Sequence, residues 1–320
     1  MALTIAFLAA LAFPAQASSP ALWAGLKAGP YAVGYVHFES GEPIDVWYPA
    51  GAPGQPLTFA QYLGGRAAGM RSFLKEQGLP EESIARLLDA SMFATREAVP
   101  AARPEALVLM AQGNGQDAAD QAVLAEYIAS HGYIVASVPS PMIRQPMTGQ
   151  SQIGSFAERQ ADALEAAMRR VRRILPARRE RVAVIGHSFG ARAALLLAMR
   201  HPQIRALISL DGGIGTSTGV AEMRAAKSFR RTARLPATLH IYEDLDAFMK
   251  PNFAFLESLR ARRLRIEKAK AMHHAHFTTY GFAAAVIPEF AKVTNAGPEI
   301  QVNVAMMARK VLRFLSAELE

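Results

Sequence analysis

RVAVIGHSFGAR, residues 181–192, orders a short buried strand, a G-x-S-x-G pentapeptide and the start of a helix. This order is typical of a nucleophile elbow, in which a serine sits on a sharp strand-to-helix turn and projects its Oγ from the edge of a sheet. Gly186 and Gly190 leave room for that turn, because a Cβ at either position would press the strand against the helix. Ser188 is therefore the candidate nucleophile. The alternative is a glycine-rich turn in an ordinary βα unit.

The sequence around the elbow predicts the fold class. From Ala106 onward, strand and helix patterns alternate, which predicts a mostly parallel sheet with helices on both faces. Upstream, residues 31–39 and 44–48 predict a hairpin of two strands. Residues 58–98 show helical spacing and no strand signal, so we expect an inserted helical cap there, and residues 299–319 predict a C-terminal helix.

Length and composition predict one soluble domain, residues 18–320, preceded by a leader. An apolar run, Leu3 to Phe13, is followed by the small-residue site Ala15-Gln16-Ala17, so residues 1–17 are interpreted as a signal peptide of a periplasmic or extracellular protein. The leader lacks a basic start, and a buried N-terminal helix is the alternative. No later stretch is apolar and long enough to span a membrane. The chain has no cysteine, which excludes thiol chemistry and a cysteine-bound metal.

The net charge of +8 comes mostly from arginines, concentrated in residues 169–181 and 260–270. A basic cluster is one mark of a nucleic-acid-binding protein. However, no stacking aromatic residues interleave with the arginines of the first cluster, which lies on a predicted helix. A solvated helix face is the preferred interpretation, and no nucleic-acid partner is expected.

A serine nucleophile needs a histidine base and a carboxylate that orients the histidine. The histidine cluster of residues 272–277 follows the last predicted strand, where a catalytic loop would lie, whereas His201 and His240 fall within predicted regular structure. Few carboxylates accompany the cluster, so a metal site is the less favoured alternative. For the acid, Asp211 follows one strand, and Glu243, Asp244 and Asp246 follow the next. Spacing alone leaves the acid open.

An oxyanion hole needs a main-chain N–H after the nucleophile, which is that of Phe189, and a second one from the loop after the strand at residues 106–110. That loop reads Ala111-Gln112-Gly113-Asn114-Gly115, and the N–H of Asn114 is the candidate donor. A plain glycine turn is the alternative.

With these residues placed, the chain resembles the platelet-activating factor acetylhydrolase-like and dienelactone hydrolase-like branch of the α/β-hydrolases. The resemblance is carried by the elbow and by residues 44–50, 113–115 with 130–133, and 210–212. It implies that Asp211 is the acid and that His274, three residues before Phe277, is the base. The usual His-Gly of the oxyanion loop is Gln112-Gly113 here, and residues 58–98 and the C-terminal tail look particular to this chain.

These features predict an exported serine hydrolase that cleaves carboxylic esters through Ser188, His274 and Asp211, without a cofactor or metal. The expected substrate is a small-molecule or lipid-like ester. An amidase or peptidase with the same triad, and a catalytically silent binding protein of the same fold, are the alternatives. The sequence does not fix the acyl-chain length or the oligomeric state.

Overall fold

The computed structural model describes residues 19–39, 41–101, 103–140, 142–143, 150–178, 180–217, 223–224 and 226–320. The predicted signal peptide, residues 1–17, lies outside the described residues.

Within the described residues, ten strands form one sheet in the order β10-β9-β8-β7-β5-β6-β2-β1-β4-β3. The strands are β1 (Ala32–Phe38), β2 (Ile44–Ala50), β3 (Pro56–Thr58), β4 (Ser91–Arg96), β5 (Leu107–Ala111), β6 (Ile134–Val138), β7 (Val182–His187), β8 (Ile204–Leu210), β9 (Arg234–Tyr242) and β10 (Arg260–Lys268). The six strands from β10 to β6 in this order run parallel, and β2 pairs antiparallel with both β6 and β1. The predicted N-terminal hairpin is thus present as β1 and β2.

The helices connect the strands and cover the sheet. They are α1 (Phe59–Leu63), α2 (Ala67–Glu76), α3 (Glu81–Leu88), α4 (Ala122–Ser130), α5 (Gln150–Ile174), α6 (Gly190–Arg200), α7 (Ala254–Glu257), α8 (Thr279–Val286), α9 (Pro288–Val293) and α10 (Ile300–Leu319). The last of these lies in the stretch for which the sequence predicts a C-terminal helix.

Two apolar layers form the core, one on each face of the sheet. Along β5, Val108 faces one layer and Leu109 the other, because successive side chains of a strand point to opposite faces. Helices α4 and α10 contribute to the layer of Val108, whereas α5 and α6 contribute to the layer of Leu109. The predicted parallel sheet with helices on both faces is confirmed.

The inserted segment, residues 58–98, is helical over α1, α2 and α3, but it also contains a strand. The absence of a strand signal there was misleading, because β4 pairs with both β1 and β3. Only Met92 and Ala94 of β4 are buried, and polar side chains occupy the exposed positions. Pairing with distant strands therefore determines this element, and its short local pattern does not.

A buried carboxylate of α4 joins the insertion to the body of the protein. Glu126 accepts hydrogen bonds from Trp23 Nε1–H (3.1 Å), Tyr62 Oη–H (2.9 Å) and the main-chain N–H groups of Phe93 (3.0 Å) and Ala94 (2.9 Å). Burial raises the pKa of this carboxyl, and the four donors act in the opposite direction. The N-terminal segment, α1 and β4 are thereby held against α4.

We expect Glu126→Gln to lower the free energy of unfolding by about 3 kcal/mol, because an amide NH₂ cannot accept hydrogen bonds and buried donors lose their acceptor. Urea unfolding of the purified variant measures this change. Glu76→Gln, at an exposed end of α2, is the matched control and should change stability by less than about 0.5 kcal/mol. Equal stability of the two variants would contradict the anchoring role.

Candidate active site

The turn between β7 and α6 has the geometry of the predicted elbow. Strand β7 ends at His187, α6 begins at Gly190, and Ser188 between them has a φ of 51°, in the left-handed region. A Cβ at Gly186 would lie 2.5 Å from Ala191 Cα, and one at Gly190 would lie 2.1 Å from the carbonyl oxygen of Ala111. Only glycine therefore fits at these two positions.

Ser188, His274 and Asp211 form a continuous hydrogen-bonded chain. His274 Nδ1 lies 2.5 Å from Asp211 Oδ2, and His274 Nε2 lies 2.9 Å from Ser188 Oγ. A carboxylate can only accept, so Nδ1 carries the proton and donates it to Asp211. The unprotonated Nε2 then accepts a hydrogen bond from the serine hydroxyl, which is the arrangement that a general base requires.

Asp211 occupies the turn that follows β8. Its side chain is buried, and its main-chain N–H donates to the carbonyl oxygen of Ile241 at 2.7 Å. The second carboxylate oxygen accepts the main-chain N–H of Glu243 at 3.1 Å. Both oxygens of the Asp211 carboxylate therefore have donors, one of which is the imidazole of His274.

The competing carboxylates after β9 serve other contacts. Glu243 Oε2 accepts the main-chain N–H groups of Leu245 (2.5 Å) and Asp246 (2.9 Å), and so it caps its own loop. Asp244 pairs with Lys268 at 2.5 Å, on the surface. In the part of the chain that the structure describes, neither carboxylate forms a hydrogen bond with the imidazole of His274.

Asp246 fixes the loop that carries His274. Its Oδ2 accepts the main-chain N–H of His274 at 2.7 Å, and its Oδ1 lies 2.8 Å from His273 Nδ1. Asn295 Nδ2 donates to His273 Nε2 at 3.1 Å, which leaves the proton of His273 on Nδ1, facing Asp246. Burial acts to raise the pKa of Asp246, but the hydrogen bonds from His274 and His273 outweigh it, and the pKa is lowered.

The remaining downstream histidines are held in structural contacts. Burial lowers the pKa of His276 to about 4, and its Nδ1 accepts the main-chain N–H of His273 at 2.9 Å. His240 lies within β9 with its Nδ1 2.9 Å from Ser209 Oγ, and His201 Nε2 lies 3.2 Å from Glu165.

His187 lies directly against the imidazole of His274, a contact that sequence reasoning missed. The two rings stack with centroids 4.8 Å apart and an interplanar angle of 29°. His187 Nδ1–H donates to Gln116 Oε1 at 2.8 Å. Burial and then the neighbouring His274 lower the pKa of His187 well below its ordinary value, so this ring stays neutral. Its position beside Ser188 in the pentapeptide was the available signal.

The loop after β5 differs in how its main-chain N–H groups are bonded. The N–H of Gly113 is occupied by Gln116 Oε1 at 2.9 Å. Among the described residues, no acceptor is recorded for the N–H groups of Asn114 and Phe189. The Asn114 side chain is held away from this N–H, because it exchanges two hydrogen bonds with the main chain of Ile143, of 3.1 Å and 2.7 Å.

Gln112, which stands where the resembled family has a histidine, points into the protein. It is fully buried, and its Nε2 donates to Ser137 Oγ at 2.7 Å. Gln160 Nε2 donates to the main-chain oxygen of Gln112 at 2.9 Å. The Gln112 side chain therefore braces the loop against β6, and the main-chain oxygen of the same residue binds α5.

A cavity of about 500 Å³ opens beside His274. Helix α2 of the insertion contributes Phe73 to its wall, and α9 contributes Phe290 and Val293. Phe248 packs edge-on against the His274 ring, with centroids 5.2 Å apart. The insertion therefore borders the site, as a cap would.

Over the described ranges, no cluster of three or more His, Asp or Glu side chains is arranged to hold a metal ion. The same part of the chain contains no helix that is both long and apolar enough to cross a membrane.

Comparisons with known proteins agree with the fold. The family model for the BAAT / acyl-CoA thioester hydrolase C-terminal region matches residues 164–272, a segment that includes Ser188 and Asp211 and ends two residues before His274. A ferulic acid esterase from Streptomyces cinnamoneus has a similar structure, with a TM-score of 0.67, 18% sequence identity and coverage of 92% of each chain. The predicted α/β-hydrolase fold is confirmed. A comparison with curated protein sequences returns no match.

We expect Gly190→Ala to lower the free energy of unfolding by about 2–3 kcal/mol, because the added Cβ must separate α6 from the main chain of Ala111. Gly69→Ala is the matched control, since it lies within α2 and its Cβ would meet no atom within 4 Å. That control should raise stability by about 0.5–1 kcal/mol. Urea unfolding of both variants tests the contact, and a stable Gly190→Ala variant would argue against it.

Proposed function

We propose that the protein is a serine hydrolase that cleaves carboxylic ester bonds through an acyl-enzyme on Ser188. One observation carries this proposal. Asp211, His274 and Ser188 are joined by two hydrogen bonds, of 2.5 Å and 2.9 Å, at the carboxyl ends of parallel strands, where open α/β sheets bind ligands.

In the first half of the reaction, Ser188 Oγ attacks the acyl carbon of the ester while His274 Nε2 takes the hydroxyl proton. The resulting imidazolium is stabilised by the Asp211 carboxylate. The negative charge on the former carbonyl oxygen is met by the N–H groups of Phe189 and Asn114, which have no other recorded acceptor in the described structure. His274 then gives its proton to the departing alkoxide, leaving the acyl group on Ser188.

In the second half, water attacks the acyl-enzyme, and His274 takes a proton from the water. When the intermediate collapses, the same proton returns to Ser188 Oγ, and the carboxylic acid leaves. The neutral, buried His187 suits both halves, because a second positive charge stacked on His274 would oppose formation of the imidazolium.

The position of the acid supports the finer family assignment. Asp211 directly follows β8, the strand after the elbow helix, which is the arrangement of the acetylhydrolase-like group. An acid after β9 would instead favour the dienelactone hydrolase-like arrangement. We therefore propose a place in the acetylhydrolase-like group.

A thioester hydrolase is the second candidate, favoured by the family model that matches residues 164–272. The same serine chemistry accepts either bond. An oxygen ester and a thioester with the same acyl group and leaving groups of similar shape, assayed side by side, separate the two activities.

We expect Ser188→Ala to abolish ester hydrolysis with the fold intact, a loss of several orders of magnitude in kcat. Nitrophenyl acetate turnover and circular dichroism measure the two properties. A fluorophosphonate probe should label the wild-type protein and not the variant, because only an activated serine reacts quickly. Wild-type protein without labelling would favour the silent binding protein, and an active Ser188→Ala variant would exclude the elbow serine as nucleophile.

We expect Asp211→Asn to lower kcat by about 10⁴-fold, because an amide at this position favours the wrong tautomer of His274. Asp244→Asn, on the exposed pair with Lys268, is the control and should retain nearly normal turnover. Both purified variants are assayed on one activated ester at equal folded content. If Asp244→Asn lost most of its kcat while Asp211→Asn kept a normal kcat, the catalytic acid would have to lie in the loop after β9.

A further inference from the structure

The cavity beside His274 lies on one side of the catalytic chain. The loop of His273 and His274 forms one wall, and Met70 and Phe73 of the insertion form another. Of the proposed triad, His274 alone lines this cavity among the described residues, and the proposed oxyanion donors Phe189 and Asn114 are, like Ser188, not part of its walls.

Proton transfer decides which part of an ester can occupy this side. His274 Nε2 must reach both Ser188 Oγ and the departing oxygen, since it carries the proton from one to the other. The departing oxygen therefore lies next to the imidazole, whereas the former carbonyl oxygen lies next to the N–H groups of Phe189 and Asn114. A cavity walled by His274 and lacking the oxyanion donors adjoins the departing group.

Most of the surface of the cavity is apolar, and its polar lining comes from His273, His274, Asp246, Thr294 and Asn295. No Lys or Arg lines it among the described residues, and its one carboxylate, Asp246, is engaged by His273 and His274. Phe73 and Phe248 are 50% and 69% exposed at its margin. Large aromatic side chains that rim an apolar cavity indicate an apolar ligand.

We infer that this cavity binds the alcohol portion of the ester, and that the alcohol is bulky, apolar and uncharged, such as a medium-chain or aromatic alcohol. This inference rests on the proposed esterase function. It also predicts a preference for uncharged leaving groups over anionic ones, because no Lys or Arg lines this cavity among the described residues.

Two series of esters that share methyl acetate test the assignment. One series varies the alcohol (methyl, hexyl and naphthylmethyl acetates), and the other varies the acid (methyl acetate, hexanoate and naphthylacetate). We expect kcat/KM of the wild-type protein to rise roughly 100-fold from methyl to hexyl acetate, as apolar surface is buried in the cavity.

Phe73→Ala should reduce the hexyl-to-methyl ratio of the alcohol series about tenfold, and the ratio of the acid series should keep its wild-type value. Ile174→Ala, which truncates an aliphatic residue 47% exposed at the end of α5, is the control and should preserve both ratios. Val293→Trp, which fills the cavity, should penalise the naphthylmethyl ester more than the methyl ester.

A change confined to the acid series in Phe73→Ala would assign the cavity to the acyl group and overturn the inference, as would a flat alcohol series in an active wild-type protein.

A second arm compares acetyl-CoA with the uncharged thioester S-acetyl-N-acetylcysteamine. We expect the uncharged thioester to have the higher kcat/KM, by on the order of tenfold, and the reverse preference would overturn this prediction. Absence of any Ser188-dependent turnover would instead refute the proposed function itself, and the subsite with it.

Discussion

The contact between Gly190 and the carbonyl oxygen of Ala111 is the constraint on which the site depends. It lets α6 begin directly against the end of β5, which pairs with β7 through Ala111 and Gly186. The elbow serine and the loop after β5 are therefore neighbours by virtue of main-chain packing. A side chain at position 190 would push the turn that carries Ser188 away from the loop after β5.

The other parts of the site are held by carboxylates with distinct tasks. Asp211 orients His274, Glu243 caps the loop after β9, and Asp246 fixes the main chain of the histidine loop. These three acids lie close together, and each accepts hydrogen bonds from main-chain N–H groups around it. The imidazole is consequently oriented through its ring by one carboxylate and through its backbone by another.

Much of the fold and the strand-turn-helix geometry at Ser188 could be predicted from the sequence, because alternating strands and helices and a G-x-S-x-G turn are local patterns. Spacing alone could not select the carboxylate that contacts His274, since Asp211 and Glu243 both follow strands that end at the same edge, and the distance to the imidazole separates them. The strand β4 was missed because distant strands pair with it. His187 was missed for a similar reason, as its ring stack depends on the loop after β10.

The carboxylate of Glu126 holds in place the inserted segment that borders the cavity beside His274. Its hydrogen bonds tie both ends of the inserted segment to α4, through Tyr62 near one end and Phe93 and Ala94 near the other. Swinging this segment outward would strand a charge in an apolar interior, a cost far above thermal energy. Displacing the insertion as a whole from the cavity beside His274 accordingly requires that this buried network be broken.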